Sequence, residues 1–134
     1  MQGNYSVHFE SYSERHFIRT FEKKYMAHWD ITLRAIIAEL ERIDALLRTD
    51  KAETISTSKD NDVKIVKVKF KIAASKESAN SSGNRCIVAW CESKQSVSVL
   101  LIYSKTDLRG SNETAEWKKL VRDNYPEYKE MLNN

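Results

Sequence analysis

Lys67, Lys69 and Lys71 occupy every second position of Val66-Lys67-Val68-Lys69-Phe70-Lys71-Ile72. An extended strand with that alternation sets the three ammonium groups on one face, about 7 Å apart. Lys64 and Lys76 lengthen the run, and no acidic residue interrupts it between Val63 and Lys76. Such a ladder fits a phosphate backbone. It fits as well the solvated outer face of an antiparallel strand, where lysine also discourages edge pairing. Arg85 opens the next apolar segment, and Tyr103 and Lys105 share one face at the end of the last one. Residues so far apart in the chain become neighbours when their strands pair. A sheet face carrying several cations and a phenol has what is needed to bind and polarise an RNA phosphate.

Other chemistry is poorly supported. His8, His16 and His28 have no histidine or cysteine at ligand spacing, so no metal site is expected. Cys86 and Cys91 lie five apart in one predicted strand and point to opposite faces, about 17 Å from each other, which suits packing and excludes a disulfide within the chain.

The remaining pattern supplies the elements that must position these residues. Tyr5 to Phe9 alternates as a short first strand. From Ser13, a plausible N-cap, Phe17, Phe21 and Tyr25 recur every fourth residue beside Ile18, Met26 and Trp29, the stripe of an amphipathic helix. Asp30 can cap a second helix, whose face of Leu33, Ile36, Ile37, Leu40, Ile43, Leu46 and Leu47 runs to Arg48. The two stretches fit either one bent helix or a helical hairpin. The period then changes to alternation, with a weak strand from Glu53 to Thr57, a turn at Lys59 to Asp62, and strands at Val66 to Ile72, Arg85 to Cys91 and Val97 to Tyr103. Ala73 to Asn84, rich in Ser, Asn and Lys, reads as a mobile loop. Ser111 or Asn112 caps a last helix with Glu113 and Glu116 in its first turn, ending near Tyr125-Pro126. The expected class is α+β, a single domain over 1–134 with helices against one face of a small antiparallel sheet.

Composition agrees with a folded chain: 41% of the 134 residues are hydrophobic and 31% charged. Residues 1–50 carry seven basic and eight acidic side chains, residues 51–134 fifteen and eleven, so the net charge of +3 conceals a basic second half. The apolar run Val99 to Tyr103 is far too short to span a membrane, and the first residues lack the basic and apolar regions of a secretory signal, so a cytoplasmic protein is expected.

Val68-Lys69-Phe70-Lys71-Ile72-Ala73, the Ser-rich loop ending Gly83-Asn84-Arg85, the strand Cys86-Ile87-Val88-Ala89-Trp90 and the ending Leu100-Leu101-Ile102-Tyr103-Ser104-Lys105 together resemble the RelE/HigB branch of toxins from type II toxin-antitoxin modules, within the RelE/ParE superfamily. The resemblance covers most of the chain and implies a fold related to microbial ribonucleases. It implies an endoribonuclease that cuts mRNA on the ribosome by attack of the substrate's own 2′-hydroxyl, with no metal or cofactor and with a cognate antitoxin as partner. By position, Lys69 and Lys71 resemble the family's basic pair before the loop, Arg85 its arginine after it, and Lys105 its basic residue at the end of the last strand. Arg85 and Lys105 would then stabilise the phosphate and Lys69 or Lys71 would transfer a proton, with Lys67 and Lys76 binding RNA. The late tyrosine of RelE members has no counterpart short of Tyr125 and Tyr128, which leaves Tyr103 as the substitute. The fold also hosts ParE-like topoisomerase poisons, and a noncatalytic nucleic-acid or protein-binding module is a further reading of the same lysines.

Overall fold

The computed structural model describes residues 4–108 and 112–133. Strand β1 (Ser6–Phe9) leads into a helical stretch of α1 (Ser11–Ser13), a π-helical turn (Glu14–Ile18) and α2 (Arg19–Tyr25), followed by α3 (Ala27–Leu40) and a short α4 (Ile43–Leu46). Strands β2 (Ala52–Thr57), β3 (Val63–Phe70), β4 (Asn84–Cys91) and β5 (Ser96–Ser104) come next, then a 3₁₀ turn at Lys105–Asp107 and helix α5 (Glu113–Asn124). Two further 3₁₀ turns close the described chain.

The five strands form one sheet in the order β1-β5-β4-β3-β2. The chain is α+β as expected, with two corrections. The sheet is mixed: β1 runs parallel to β5, and the other neighbours are antiparallel. The most apolar segment, β5, has a paired strand on both sides: the helices carry the chain from β1 to β2 at the opposite edge of the sheet, and three antiparallel steps bring it back to β5, which then runs parallel to β1. Helices also cover both faces, because β4 is buried along nearly its whole length and presents apolar side chains to each side. Cys86, Val88 and Trp90 face the cluster under α2, α3 and α4, with Phe21, Trp29, Ile36 and Leu40. Ile87 and Ala89 face a second cluster with Trp117, Val121 and Tyr125 of the C-terminal segment. A bulge in β5 opposite Ile87 and Val88 turns both Leu100 and Leu101 into this second cluster.

Several helix boundaries move. Ser13 lies inside the helical stretch and is buried; the chain enters at Glu10 without a side-chain cap. The break between the helices falls at Met26, whose φ of 50° no helix accommodates, so the arrangement is two helices rather than one bent one. Asp30 is therefore within the first turn of α3, paired with Arg34 at 3.4 Å, instead of capping it. The apolar stripe that reads as continuous to Arg48 is interrupted after Leu40, and α4 resumes it with Ile43 and Leu46 buried. Strand β3 ends at Phe70, which leaves Lys71 and Ile72 outside the pairing. Asn112 caps α5 by accepting from the amide of Ala115 at 3.1 Å; Ser111 and Met1 to Gly3 lie outside the described residues. Cys86 is buried and Cys91 half-buried, both free. Among the described residues no helix is long and apolar enough to cross a membrane.

Trp117, fully buried, fastens α5 to the second face. Trp117→Ala is expected to cost about 3–5 kcal/mol in urea unfolding, the range for truncating a core aromatic; a loss below 1 kcal/mol would mean that α5 is not docked there.

Candidate active site

The second face of the sheet is apolar along one half and polar along the other. On β3 this face carries Ile65, then Lys67 and Lys69; Ile65 packs under the C-terminal segment, whereas the two lysines lie beyond it. Register does the rest. Lys69 stands opposite Arg85, and Arg85 opposite Tyr103, so three residues from three strands form one row across the sheet. Lys105, just past β5, follows in the 3₁₀ turn, where its amide donates to the carbonyl of Gly83 at 2.9 Å. Gly83 adopts φ of 77°, a left-handed conformation that glycine takes without steric cost, and this turn brings the end of the loop beside the Lys105 side chain.

Over this polar end reaches Glu113, the first residue of α5. One of its carboxylate oxygens accepts from the Tyr103 hydroxyl at 2.5 Å and pairs with Lys67 Nζ at 3.0 Å; the other lies 3.7 Å from Lys105 Nζ. The Lys67 side chain is 12% exposed, that of Glu113 20% and that of Lys105 48%, so the cluster is shielded at one side and open at the other. Burial alone would raise the Glu113 carboxyl, but the hydrogen bonds from Tyr103 and Lys67 and the charges of Lys67 and Lys105 outweigh it and hold the group below the usual glutamate range. Tyr103 is pushed the other way: burial first, then the hydrogen bond and charge of Glu113, keep its phenol protonated far above neutrality, with Arg85 opposing only in part.

Arg85 does not present its guanidinium to solvent. It is 3% exposed and donates to the backbone carbonyls of Asn84 at 2.9 Å, Asn80 at 3.1 Å and Ala79 at 3.4 Å. The loop before β4 is thus folded down onto it. Ser82 Oγ donates to the Phe70 carbonyl at 2.6 Å and lies 2.9 Å from that of Ala79, and the amide of Ala73 donates to Thr32 Oγ1 of α3 at 2.7 Å. Lys69 Nζ reaches the same loop through Asn80 Oδ1 at 2.7 Å. Lys71, outside the strand, is turned to the Ser75 carbonyl at 3.3 Å, and Lys76 is exposed on the loop.

The fold therefore brings Lys67, Lys69, Arg85, Tyr103 and Lys105 to one end of one face and leaves Lys71 and Lys76 on the loop beside it. Among the described residues no group of three His, Cys, Asp or Glu side chains could hold a metal ion. The residue that reading the sequence misses is Glu113. Its spacing in the chain marks only an acid in the first turn of a helix, favourable to the helix dipole. Its meeting with Lys67, some forty-six positions earlier, arises from packing alone.

Because the folded state lowers the Glu113 carboxyl, the cluster stabilises the protein above the ordinary glutamate range, and this contribution is lost as pH falls through the lowered value. Glu113→Gln is expected to destabilise the protein by about 1–3 kcal/mol at neutral pH in urea unfolding. The gap between wild type and variant should close as the pH is taken below the carboxylate range. A gap independent of pH would show that the charge of Glu113 is not its origin.

No protein-family model matches the chain, and no curated protein matches it. In three dimensions it is similar to a crystal structure of the archaeal RelE-RelB complex from Pyrococcus horikoshii OT3, with a TM-score of 0.54 at 10% sequence identity, over 76% of this chain and 96% of the other. The mixed five-stranded sheet with its helices has the RelE toxin fold.

Proposed function

We propose that this chain is the toxin of a type II toxin-antitoxin module and acts in the cytoplasm as an endoribonuclease on mRNA held by the ribosome, a cognate antitoxin being its partner. The observation that carries the reading is the convergence of Lys67, Lys69 and Lys105 with Tyr103 at one end of a face of the sheet, on a fold shared with an archaeal RelE that was crystallised with RelB.

The reaction proposed is a transesterification. The 2′-hydroxyl loses its proton to a base, its oxygen forms a bond to the adjacent phosphorus, and the bond from phosphorus to the 5′-oxygen breaks as that oxygen takes up a proton, leaving a 2′,3′-cyclic phosphate. This chemistry requires a base, an acid and positive charge around the pentacoordinate phosphate, and it proceeds without a metal. Lys67 and Lys105 supply the charge. Lys69, in the row beside Arg85, is assigned to proton transfer, with Lys71 and Lys76 guiding the RNA backbone from the loop. Tyr103 remains neutral, so it cannot serve as a phenolate base but can donate a hydrogen bond, a role that suits a developing negative charge on oxygen. Arg85, bound to three backbone carbonyls, is a positioning residue: it fixes the loop that carries Asn80, the partner of Lys69. Glu113 is a poor choice of base, since a carboxyl held below its usual range accepts protons weakly.

Induced expression in a bacterial host, wild type beside Lys69→Ala and Lys105→Ala, tests the proposal through growth and mapped mRNA 5′ ends. The expected result is growth arrest with new ends inside translated messages, and a fall in cleavage of about a hundredfold or more in each variant, as for the loss of a group that stabilises a transition state. Arrest with intact messages would favour a topoisomerase poison. The absence of arrest together with retained RNA binding would favour a noncatalytic module.

A further inference from the structure

Two cations and a hydroxyl from separate elements converge on a single carboxylate: Lys67 of β3 at 3.0 Å, Tyr103 of β5 at 2.5 Å and, as an ion pair on the other oxygen, Lys105 of the 3₁₀ turn at 3.7 Å. The polar end of this face is thus already filled by an anion of the protein's own. An ionised carboxylate and a phosphate offer the same thing to such donors, a delocalised negative charge on oxygens able to accept several charge-assisted hydrogen bonds. Among the described residues Lys67 and Lys105 form ion pairs with no acidic side chain other than Glu113; Glu116, one turn along α5, is not paired with them.

We infer that Glu113 is a built-in competitor for the substrate phosphate: its carboxylate occupies the anion subsite formed by Lys67, Tyr103 and Lys105, and a phosphate group enters by displacing it. The inference rests on the ribonuclease reading only for the choice of an RNA phosphodiester over a free phosphate compound. Displacement requires no movement of the helix. Trp117 and Val121 hold α5 in the second cluster, while the side chain of Glu113, the first residue of the helix, is partly exposed and can turn toward solvent on the side where Lys105 is half exposed. The subsite then regains two ammonium groups and the Tyr103 hydroxyl, which is otherwise engaged by Glu113.

The consequence is a lowered apparent affinity. A site that is free for only a fraction of the time binds its ligand more weakly by that fraction, so a carboxylate that holds the lysines about nine-tenths of the time weakens binding about tenfold. A loss of stability and a gain of binding should therefore accompany one another in the same substitution, a pattern expected where a site is kept from its ligand by the contacts that stabilise the fold.

The test is isothermal titration, at fixed ionic strength and neutral pH, of two probes into the full chain: inorganic pyrophosphate, and a short single-stranded oligonucleotide with 2′-deoxy sugars, which its own sugar hydroxyls cannot cleave. Wild type is compared with Glu113→Gln, Glu113→Ala, Glu116→Gln and Lys67→Met, each first shown to be folded by circular dichroism. Both Glu113 variants are expected to bind about tenfold more tightly than wild type, Glu116→Gln to change affinity by less than about threefold, since it removes the same charge without touching the donors, and Lys67→Met to weaken binding. Tightening with the oligonucleotide alone assigns the subsite to backbone phosphodiesters, and tightening with pyrophosphate alone to free phosphate compounds. The inference is overturned if the Glu113 variants bind neither probe more tightly than wild type, or if Glu116→Gln tightens binding as much as they do, which would reduce the effect to net charge. Tightening without any cleavage of mRNA would sink the nuclease reading and leave the subsite standing; cleavage without tightening would do the reverse.

Discussion

The contact on which the arrangement depends is that of the Glu113 carboxylate with Lys67 and Tyr103. Lys67 lies on a sheet face that α5 and the segment after it partly cover, with its side chain mostly withdrawn from water. A lysine in that position without a counter-charge would weigh against docking the helix at all, because withdrawing an unpaired charge costs several kcal/mol. Glu113 removes the conflict. Its place is set by the helix behind it: Trp117 and Val121 fill the apolar half of the face, and the helix axis then carries residue 113 over the polar half. Packing and electrostatics are thereby tied to one another through a single turn of helix.

The division of the face into two halves follows from the strands. β3 places Ile65, Lys67 and Lys69 in succession on the same side, β4 places Arg85 and Ile87 there, and β5 places Leu101 and Tyr103. Apolar side chains meet apolar ones toward one end and polar meet polar toward the other, so the cations are gathered by register alone. Arg85 then has the most buried charge of the set, and the loop between β3 and β4 answers it with three carbonyls. Those hydrogen bonds satisfy the guanidinium and give the loop a fixed conformation that its Ser- and Asn-rich composition does not suggest. The structure thus holds its cations in two ways, by a carboxylate at Lys67 and by backbone oxygens at Arg85.

Much of this was legible in the chain. Alternation located β3, β4 and β5, placed Lys67 and Lys69 on one face, and separated Cys86 from Cys91, because side-chain direction in a strand is a local property of period two. What was not legible depends on the partner surface. The parallel pairing of β1 is decided by the helical crossover to β2 at the far edge and the three antiparallel steps that return the chain to β5. The break at Met26 has no glycine or proline to announce it, although its positive φ ends α2 and begins α3. The inward turn of Arg85 could not be told from a solvent-facing arginine, since both occur at the first positions of a strand. Glu113 carried no signal beyond its favourable place at a helix start, and its role exists only once α5 is laid across the sheet.

One interaction, that of Lys67 with Glu113, docks the helix end, keeps the cations screened and sets the state of the candidate site. A double-mutant cycle between Lys67 and Glu113, using Lys67→Met, Glu113→Gln and the pair together in urea unfolding at neutral pH, measures that interaction most directly. A favourable coupling of about 1 kcal/mol or more is expected, within the range for residues in contact in one network. A coupling indistinguishable from zero, with the two single losses simply adding, would contradict it.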